Sequence, residues 1–527
     1  MTDSSAGRFY ITTAIPYVNG APHVGHGLEA VQTDALARHH RQIGDDTFFL
    51  TGSDDNSITN VRAAEKEGIP VGELVARNTK GFIALDDSLD ISYDQFIRTS
   101  VHERHKAGAI KLWEAVRASG DIYQKDFFGL YCPSCELFYD ENELIDGLCP
   151  EHLTRPEPVQ ENNYFFALSR YQHKLEMIIE SDEYRVFPDH RKNEVLSFIR
   201  SGLRDFSISR SIERARGWGI PVPGDEGQVM YVWFDALTNY ITALDYATNG
   251  ELYRRYWTEN PHRVHVVGKG IIRFHAVYWP AMLLSAHVPL PTTLFVHGYY
   301  TLEGRKMSKT LGNTVEPSTL VERYGSEAVR YYFLAATHPT GDGDFSEDLF
   351  EARYNADLAN DLGNLLNRSI SMIRRYRAGV ISSHAANSHT KGDLEIAASK
   401  LVMVVREAMV EFDFQGALSA VWDVISSANR FIEQEAPWKL AKEEKIESGG
   451  EAGERLDAVL GILAETLRRV SISLEPFLPR SAIAIRDQLG LPSEAAAPEW
   501  VWQEGIEVVD PTPLFPRIER ESTVAEA

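Results

Sequence analysis

The sequence predicts an α/β fold with three parts: a parallel sheet assembled from two separated halves, an insertion between the halves, and a C-terminal α-helical bundle. Two observations predict the sheet, namely a strand–helix–strand pattern near the N-terminus and a second such pattern after residue 260. A third observation predicts the bundle, because long segments with a period near 3.6 and few glycines begin at about residue 346.

The first half of the sheet is predicted near the N-terminus. Alternating or continuous apolar residues predict strands in RFYITTAIPYV and in TFFLTGSDD. Between these segments, Leu28, Val31, Ala35 and Leu36 recur at helical spacing before Gly44 ends the helix. A strand, a helix and a strand in this order form a βαβ unit, which indicates a parallel sheet with loops at the carboxyl ends of its strands.

The second half of the sheet is predicted much later in the chain. Strands are expected in HRVHVVGKG and TTLFVHGYY, and a helix between them in IIRFHAVYWPAMLLSA. The intervening residues would then form an insertion. The predicted domains are 1–115 for the first half, 116–230 for the insertion, 231–345 for the second half, 346–510 for the bundle and 511–527 for a polar tail.

The composition is that of a multidomain globular protein outside the membrane. The chain has 527 residues, and no apolar run approaches the ~20 residues that cross a bilayer. Its N-terminus lacks the basic, apolar and small-residue pattern of a signal peptide, so we expect a cytoplasmic protein. The net charge of −23 argues only weakly against nucleic-acid binding, because a total says nothing about local patches such as Arg374, Arg375 and Arg377.

All three cysteines lie in one short window, between about residues 130 and 155. Cys132 and Cys135 form a C-x₂-C pair, and Cys149 and His152 form a C-x₂-H pair. Three thiolates and an imidazole suit tetrahedral Zn²⁺, and four protein ligands leave no open position, so we expect a structural zinc knuckle. A redox C-x₂-C pair is the alternative, but it does not account for the third cysteine and its histidine.

Two histidines precede the first predicted helix in the stretch NGAPHVGHGLEA. His23 and His26 could be metal ligands, but no nearby carboxylate or cysteine completes a set. They could also be loop residues that only pack. A third interpretation is phosphate binding, because a helix N-terminus favours an anion and Gly25 lets a ligand approach the backbone closely.

Two lysines lie in a glycine-flanked loop after the second half of the sheet. The stretch EGRKMSKTLGN contains Lys306 and Lys309. Mobile ammonium groups suit a polyphosphate leaving group, although such a pair is more often an ordinary solvated surface.

Together, the two motifs resemble those of one enzyme class. PHVGH resembles the HIGH signature, and KMSKT the KMSKS signature, of class I aminoacyl-tRNA synthetases. From about residue 8 to 510 the chain is similar to the methionyl-tRNA synthetase family. The resemblance lies in TTAIPYVNGAPHVGH, YCPSCELFYDENELIDGLCPEH, NNYFFALSRY, VWFDALTNYITAL, FHAVYWPAMLLSA, LFVHGYYTLEGRKMSKTLGN and EAPWKLAK.

The resemblance implies a split Rossmann-like sheet and an ATP-dependent activation of methionine, followed by transfer to tRNA(Met), both initiator and elongator. It implies that His23, His26, Lys306 and Lys309 stabilise phosphate charge, with Mg²⁺ as a cofactor beside the structural Zn²⁺. Further ATP contacts would come from Gly25, Gly298, Met307 and Ser308.

The resemblance also assigns two more sets of residues. The methionine pocket would consist of Ile15, Tyr17, Asp54, Trp233, Leu237, Tyr240, Ile271 and His275, with Asp54 on the substrate ammonium. The residues that read the CAU anticodon would be Asn364, Arg368 and Trp438. Without the resemblance, each aromatic residue could equally be ordinary core.

The chain departs from the family pattern beside the expected nucleotide site. Residues 53–57 read SDDNS where the family has TDEHG, Gly270 stands where the family has an acid that contacts the ribose, and Thr310 ends the lysine motif. These departures leave open a paralogue that adenylates an amino acid for another acceptor, or an inhibitor-resistant duplicate. A catalytically dead tRNA-binding protein is the third alternative, against which the intact histidines and lysines argue. We expect a monomer, because no oligonucleotide-binding module follows the bundle.

Overall fold

The computed structural model describes residues 7–132, 136–150, 153–302, 305–306, 315–381, 392–447, 450–492 and 505–519. The chain divides into two compact units, residues 1–299 and 300–527. No helix among the described residues is long and apolar enough to cross a membrane.

The first unit is built on a six-stranded parallel sheet. The strands run in the spatial order β3-β2-β1-β12-β13-β7. They are β1 (Arg8–Thr12), β2 (Asp46–Ser53), β3 (Gln95–Arg98), β7 (Arg185–Phe187), β12 (Arg263–Gly268) and β13 (Thr293–His297). The sheet therefore joins both predicted halves, and the order changes direction between β1 and β12. The crevice outside the carboxyl ends of these two strands is where open α/β sheets bind ligands.

One strand of this sheet comes from the predicted insertion. β7 pairs in parallel with β13, so that Val186 lies opposite Leu294. The rest of the segment between the halves forms two small antiparallel sheets, in the orders β5-β4-β6-β8 and β10-β11-β9. Their strands are β4 (Ile122–Cys132), β5 (Leu137–Tyr139), β6 (Glu157–Phe166), β8 (Phe206–Ser207), β9 (Ser209–Ser211), β10 (Pro221–Val222) and β11 (Asp225–Met230).

The helices of the first unit cover the parallel sheet and bury its apolar strands. They are α1 (Val24–Gln42), α2 (Ile58–Glu67), α3 (Val71–Ser88), α4 (Glu103–Ala118), α5 (Gln172–Glu180), α6 (Asp189–Arg200), α7 (Val232–Leu237), α8 (Asn239–Thr242), α9 (Glu251–Tyr253) and α10 (Trp279–Ser285). The core they share includes Trp113 on α4, Phe234 on α7 and Trp279 on α10, all of which are fully buried.

Two predicted elements differ in the structure. The first strand ends at Thr12 rather than continuing through Pro16 and Tyr17; proline lacks the N–H that a strand ladder needs. The helix predicted after β12 is interrupted, because residues Phe274–Tyr278 form a π-helical turn before α10 begins at Trp279. Such turns insert an extra residue and re-aim the side chains around them.

The second unit is mainly helical, as the period of 3.6 predicts. It begins with a small sheet of β14 (Tyr300–Leu302), β15 (Arg305–Lys306) and β16 (Gly343–Phe345). Its helices are α11 (Pro317–Tyr324), α12 (Ser326–Ala335), α13 (Glu347–Arg353), α14 (Asn364–Arg377), α15 (Asp393–Val410), α16 (Phe414–Glu435), α17 (Pro437–Glu447), α18 (Glu451–Leu474) and α19 (Pro479–Gln488). Part of the predicted polar tail packs on them, since the side chain of Asn355 bonds the backbone N–H and carbonyl of Ile518.

The close contact between α4 and α8 yields a stability prediction. A Cβ atom added at Gly108 would lie 2.3 Å from Cγ2 of the buried Thr242. Gly108→Ala should therefore lose more through overpacking, about 1–3 kcal/mol, than the ~1 kcal/mol that alanine contributes to helix propensity. Gly81→Ala on α3 is the matched control, because its Cβ would make only an ordinary contact with Pro22. Calorimetry should show a lower unfolding temperature for Gly108→Ala and an unchanged or higher one for Gly81→Ala; equal behaviour of the two variants would contradict the packing.

Candidate active site

The two histidines of the first motif lie at the start of α1. His23 is the N-cap residue, and its Nδ1 accepts a hydrogen bond from the N–H of Gly25 over 3.1 Å. Nδ1 of His26 accepts from the N–H of His23 over 3.0 Å. The two rings stack, with centroids 3.9 Å apart. Each histidine therefore satisfies a backbone donor at the helix end and fixes the ring of the other.

These hydrogen bonds also settle the chemistry that the rings can offer. In a neutral imidazole whose Nδ1 accepts a bond, the proton resides on Nε2, which makes Nε2 a donor. Gly25 favours this arrangement, because a Cβ there would lie 3.0 Å from Cε1 of His23, which is closer than most Cβ contacts. Two imidazole N–H donors at a helix N-terminus, next to the crevice of the sheet, form a site suited to an anion.

The second motif lies mostly outside the described residues. The backbone of Lys306 belongs to β15, which pairs with β14, but Met307, Ser308 and Lys309 are not among the residues described. Gly298 follows β13, and its carbonyl lies 2.7 Å from Nδ1 of His297.

The predicted methionine pocket contains two buried polar atoms without a hydrogen-bond partner. Within the described part of the chain, the hydroxyl of Tyr17 and Nε1 of Trp233 have no partner, although buried donors are normally satisfied. The two rings meet edge to face, with centroids 6.3 Å apart. Trp233 also stacks on Phe274 at 3.6 Å and meets His275 edge-on at 6.3 Å. This arrangement of aromatic edges and unused donors indicates a place for a small amphipathic ligand.

His275 is buried as a neutral ring, and two hydrogen bonds fix its orientation. Its Nε2 lies 2.7 Å from the hydroxyl of Tyr240, and its Nδ1 lies 2.9 Å from the carbonyl of Ile271. Because a carbonyl only accepts, Nδ1 carries the proton and Nε2 accepts from Tyr240. Burial lowers the pKa of His275 to about 4, while the bond to Ile271 opposes this shift. Leu237 and Tyr240 belong to the main hydrophobic core of the first unit, and Ile15 packs against that core. All the pocket residues that the sequence predicts, apart from Tyr17 and Asp54, therefore lie in one region of the core.

Asp54 lies just beyond the carboxyl end of β2, beside Tyr17. The two residues form an isolated parallel bridge, and the Asp54 side chain is buried. Burial raises the pKa of Asp54 well above its usual value, and the carboxylates of Asp235, Glu136 and Asp55 raise it further. A buried acid surrounded by other acids favours a cation as its partner.

Each departure in residues 53–57 makes its own contact. Asp55 accepts bonds from Arg98 at 3.1 Å and from Ser100 at 2.5 Å. The side chain of Asn56 donates to Asp235 over 2.7 Å. The hydroxyl of Ser57, which caps α2, donates to Glu136 over 2.5 Å; burial raises the pKa of that carboxyl to about 7. The departures therefore connect the end of β2 to three other elements.

The departure at Gly270 replaces an acid with an exposed backbone amide. The N–H of Gly270 donates to the hydroxyl of Tyr299 over 2.6 Å. The Tyr299 ring also lies against Gly268, whose Cβ, if added, would be 2.8 Å from Cε1 of the ring. A tyrosine hydroxyl thus lies at the carboxyl end of β12, where the family has a carboxylate.

Two of the four predicted zinc ligands lie together. Cys132 at the end of β4 and Cys149 are both buried in one small cluster with Tyr139. The chain turns back after Cys149, because its N–H donates to the carbonyl of Thr154 over 2.8 Å. Cys135 and His152 lie outside the described residues. No group of three or more possible metal ligands occurs among the residues that are described.

The predicted anticodon residues lie at the ends of two helices in the second unit. Asn364 is exposed at the first position of α14, and Arg368 follows one turn later, where it pairs with Glu433 at 2.5 Å. Trp438 stands at the start of α17 and is 41% exposed. An exposed tryptophan at a helix end is unusual for a core residue, and it provides a surface on which a base can stack.

Sequence reasoning missed several polar residues of this region. Glu29, His105, Glu136 and Asp235 all bond to residues far away in the chain. None of them stands in a local spacing pattern with its partner, so only the fold reveals them. The one available signal was that WFDA places an acid two residues after Trp233.

The fold and the histidine pair define a class I aminoacyl-tRNA synthetase. The family model described as tRNA synthetases class I (M) matches residues 9–155 and 152–370. Among curated relatives, the "Methionine--tRNA ligase" of Brucella suis biovar 1 (strain 1330) is 43% identical over 518 residues, which are 97% of this chain and 98% of the relative.

Solved structures agree with the sequence relatives. The Mycobacterium tuberculosis methionyl-tRNA synthetase in complex with methionyl-adenylate aligns with a TM-score of 0.90 at 39% identity, over 97% of this chain and 100% of that chain. Its apo form aligns with a TM-score of 0.85 at 37% identity, over 99% and 100%. The chain belongs to the methionyl-tRNA synthetase family, which confirms the resemblance drawn from the sequence.

The buried neutral state of His275 yields a prediction about stability and pH. The unfolded chain takes up a proton at this residue below about pH 6.5, whereas the folded chain does so only near pH 4. Stability should therefore fall as the pH drops through this window, by about 2 kcal/mol between pH 7.5 and 5.0 from this residue alone. Urea unfolding of the wild type and of His275→Gln should show a steeper pH dependence in the wild type; equal slopes would contradict the burial of a neutral ring.

Proposed function

We propose that the chain catalyses the ATP-dependent activation of methionine and the transfer of the methionyl group to tRNA(Met) in the cytoplasm. The observation that carries this proposal is a pocket formed by the rings of Tyr17, Trp233 and His275 beside the buried acid Asp54. The Tyr17 hydroxyl and the Trp233 Nε1–H in this pocket have no hydrogen-bond partner. Membership of the methionyl-tRNA synthetase family supports the same reaction.

The pocket suits both ends of methionine. A thioether is polarizable, and each contact with an aromatic edge contributes about 0.3–1.5 kcal/mol. The substrate ammonium would pair with Asp54. Because burial and nearby acids raise the pKa of Asp54, the empty site disfavours its ionised form, and an arriving cation restores it. The aromatic pocket would thus recognise the side chain of methionine, and the adjacent Asp54 would recognise its ammonium group.

Activation needs charge stabilisation rather than a protein base. The carboxylate of methionine is already ionised at neutral pH; it would attack the α-phosphorus of ATP in line, and pyrophosphate would leave. His23 and His26 would donate through Nε2 to phosphate oxygens, as their Nδ1 bonds to the backbone favour. Lys306 and Lys309 would bind the leaving pyrophosphate, with Gly25, Gly298, Met307 and Ser308 as further ATP contacts. Mg²⁺, when bound with ATP, would neutralise phosphate charge.

Transfer requires recognition of tRNA(Met) by the second unit. Asn364 and Arg368 would make hydrogen bonds to splayed anticodon bases, and Trp438 would offer a stacking surface. The exposure of Asn364 and Trp438 at helix ends supports this role. Initiator and elongator tRNA share the same anticodon, so both would be substrates. The enzyme would act as a monomer.

The activity is tested by exchange and then by charging. Methionine-dependent exchange of pyrophosphate into ATP, followed by methionylation of initiator and elongator tRNA, is the expected result. Exchange without charging would instead support a paralogue with a different acceptor, and neither activity would support a tRNA-binding protein without catalysis.

A variant at His26 tests the role of the histidine pair in the exchange reaction. His26→Ala should reduce exchange by ~10²–10³-fold, because a preorganised donor to phosphate is lost, while circular dichroism shows an intact fold. His190→Ala on the exposed face of α6 is the control and should leave exchange unchanged. Near-normal exchange in His26→Ala would refute the assigned role.

We also infer that Cys132, Cys135, Cys149 and His152 hold a structural zinc ion. The burial of Cys132 and Cys149 in one cluster supports this proposal, because thiolates are buried together at low cost when they share a cation. The backbone N–H of Cys149 also bonds the carbonyl of Thr154, which brings together the two ends of the segment that contains His152. When bound, the ion would crosslink the two pairs and stiffen the segment that carries Glu136.

Zinc binding predicts one metal ion per chain. Elemental analysis of the purified protein should find it, and Cys149→Ser should lose it and unfold at a lower temperature. Arg155→Ala, which changes an exposed neighbour that is not a ligand, should retain the metal. A Cys149→Ser protein with full zinc content would show that Cys149 is not a ligand, and a wild type without zinc would favour a redox C-x₂-C pair; either result would overturn the proposal.

A further inference from the structure

Asp54 is held by a chain of hydrogen bonds that begins at Asn56. The backbone N–H of Asn56 donates to Oδ1 of Asp54 over 3.2 Å. The side-chain amide of the same residue donates to Oδ2 of Asp235 over 2.7 Å. A single residue therefore links the orientation of the Asp54 carboxylate to a second carboxylate, which lies on α7.

The second carboxylate is itself fixed on its other side. Oδ1 of Asp235 lies 2.5 Å from Nε2 of His105 on α4, and Nδ1 of His105 lies 2.8 Å from the hydroxyl of Thr242 on α8. Because a carboxylate only accepts, Nε2 of His105 donates to Asp235. His105, Asp235 and Thr242 are fully buried, so the packing of three helices determines where the Asn56 amide is held.

We propose that Asn56, anchored by Asp235, His105 and Thr242, is a positioning residue that holds the Asp54 carboxylate toward the ammonium group of the amino-acid substrate. We call these four residues the Asn56 clamp. The inference rests on the proposed function and adds to it, because the clamp residues need not touch methionine.

The chemistry of the amide explains why asparagine suits this position. Asn56 bonds two buried acids, Asp54 through its backbone N–H and Asp235 through its side chain, so an added negative charge there would repel both. A neutral donor bonds one carboxylate without adding charge. Histidine, which the family pattern has at this position, can also donate, so the departure preserves the donor while changing its shape.

Several charged groups lie within or beside the clamp and set its sensitivity to pH. They come from five different segments: Asp235 from α7, His105 from α4, Glu136 from the insertion, Asp55 from the end of β2, and Arg98 from β3, which pairs with Asp55. Tyr17 faces Asp54 from the loop after β1. With acids on most sides, a carboxylate at position 56 should gain a proton more readily than an isolated one.

The first test separates methionine binding from ATP binding. In pyrophosphate exchange, Asn56→Ala should raise the KM for methionine about tenfold, the cost of one displaced charged hydrogen bond, and change the KM for ATP less than twofold. Asn56→His should lie within about threefold of the wild type, because it restores a donor. Asn78→Ala is the matched control, since that amide bonds the carbonyl of Val18 and the guanidinium of Arg77 but no carboxylate.

The second test uses Asn56→Asp, which keeps the shape of the side chain and so retains the fold. At pH 8 two carboxylates would face each other across the 2.7 Å contact, and the methionine KM should rise at least as much as in Asn56→Ala. At pH 6 a shared proton would restore the hydrogen bond, so the defect relative to wild type should shrink at least threefold, on the order expected for coupled acids.

Opposite results would overturn the inference. A methionine KM within twofold of the wild type in Asn56→Ala, equal effects on methionine and ATP, or a defect of Asn56→Asp that does not change with pH would each show that Asn56 is only structural. These failures differ from failure of the proposed function, in which the wild type itself shows no methionine-dependent exchange.

Discussion

A buried group of neighbouring acids is the constraint on which this site depends. Asp54, Asp235 and Glu136 approach one another in a region from which water is largely excluded, and the pKa of Asp54 is raised as a result. Burying like charges costs free energy that the rest of the fold must supply. The arrangement is reasonable if a substrate supplies the missing positive charge, because the strain is then relieved on binding. An amino acid meets this requirement, since its ammonium group is cationic at neutral pH and its side chain can enter the adjoining aromatic pocket.

The parallel sheet is what brings these groups together. Tyr17 follows β1, Asp54 follows β2, and Gly268 ends β12, so the carboxyl ends of neighbouring strands deliver side chains that are far apart in sequence to one edge. The insertion adds Glu136 to the same region through its bonds to Ser57 and Ile58. A segment that carries half of a proposed zinc site is thereby tied to the residues that follow β2. A structural ion in the insertion would act on the pocket by holding this attachment, without any contact with substrate.

The sequence predicted those features whose signal is local. His23 and His26 were recognised because a helix N-terminus, a glycine and two imidazoles stand within four residues, and the bundle was recognised from its period. The strand Arg185–Phe187 was not predicted, because three residues carry too little pattern and their pairing partner is more than 100 residues away. The π-helical turn at Phe274–Tyr278 was also missed, since its residues are as apolar as those of an ordinary helix. The bond between His105 and Asp235 depends on the packing of two helices that no spacing rule connects.

The departures at residues 55–57 argue that the acid pocket has been altered as a set. Asp55 is one methylene shorter than the glutamate of the family pattern, yet it receives Arg98 and Ser100. Asn56 replaces a histidine but still donates to a carboxylate, and Ser57 replaces a glycine and gains a bond to Glu136. Random loss of function would leave buried acids without donors, at a cost of several kcal/mol for each unpaired charge. Here every change retains or adds a donor on an acid. The pattern therefore supports the proposed site for a cationic substrate group, with its supporting contacts drawn from different residues.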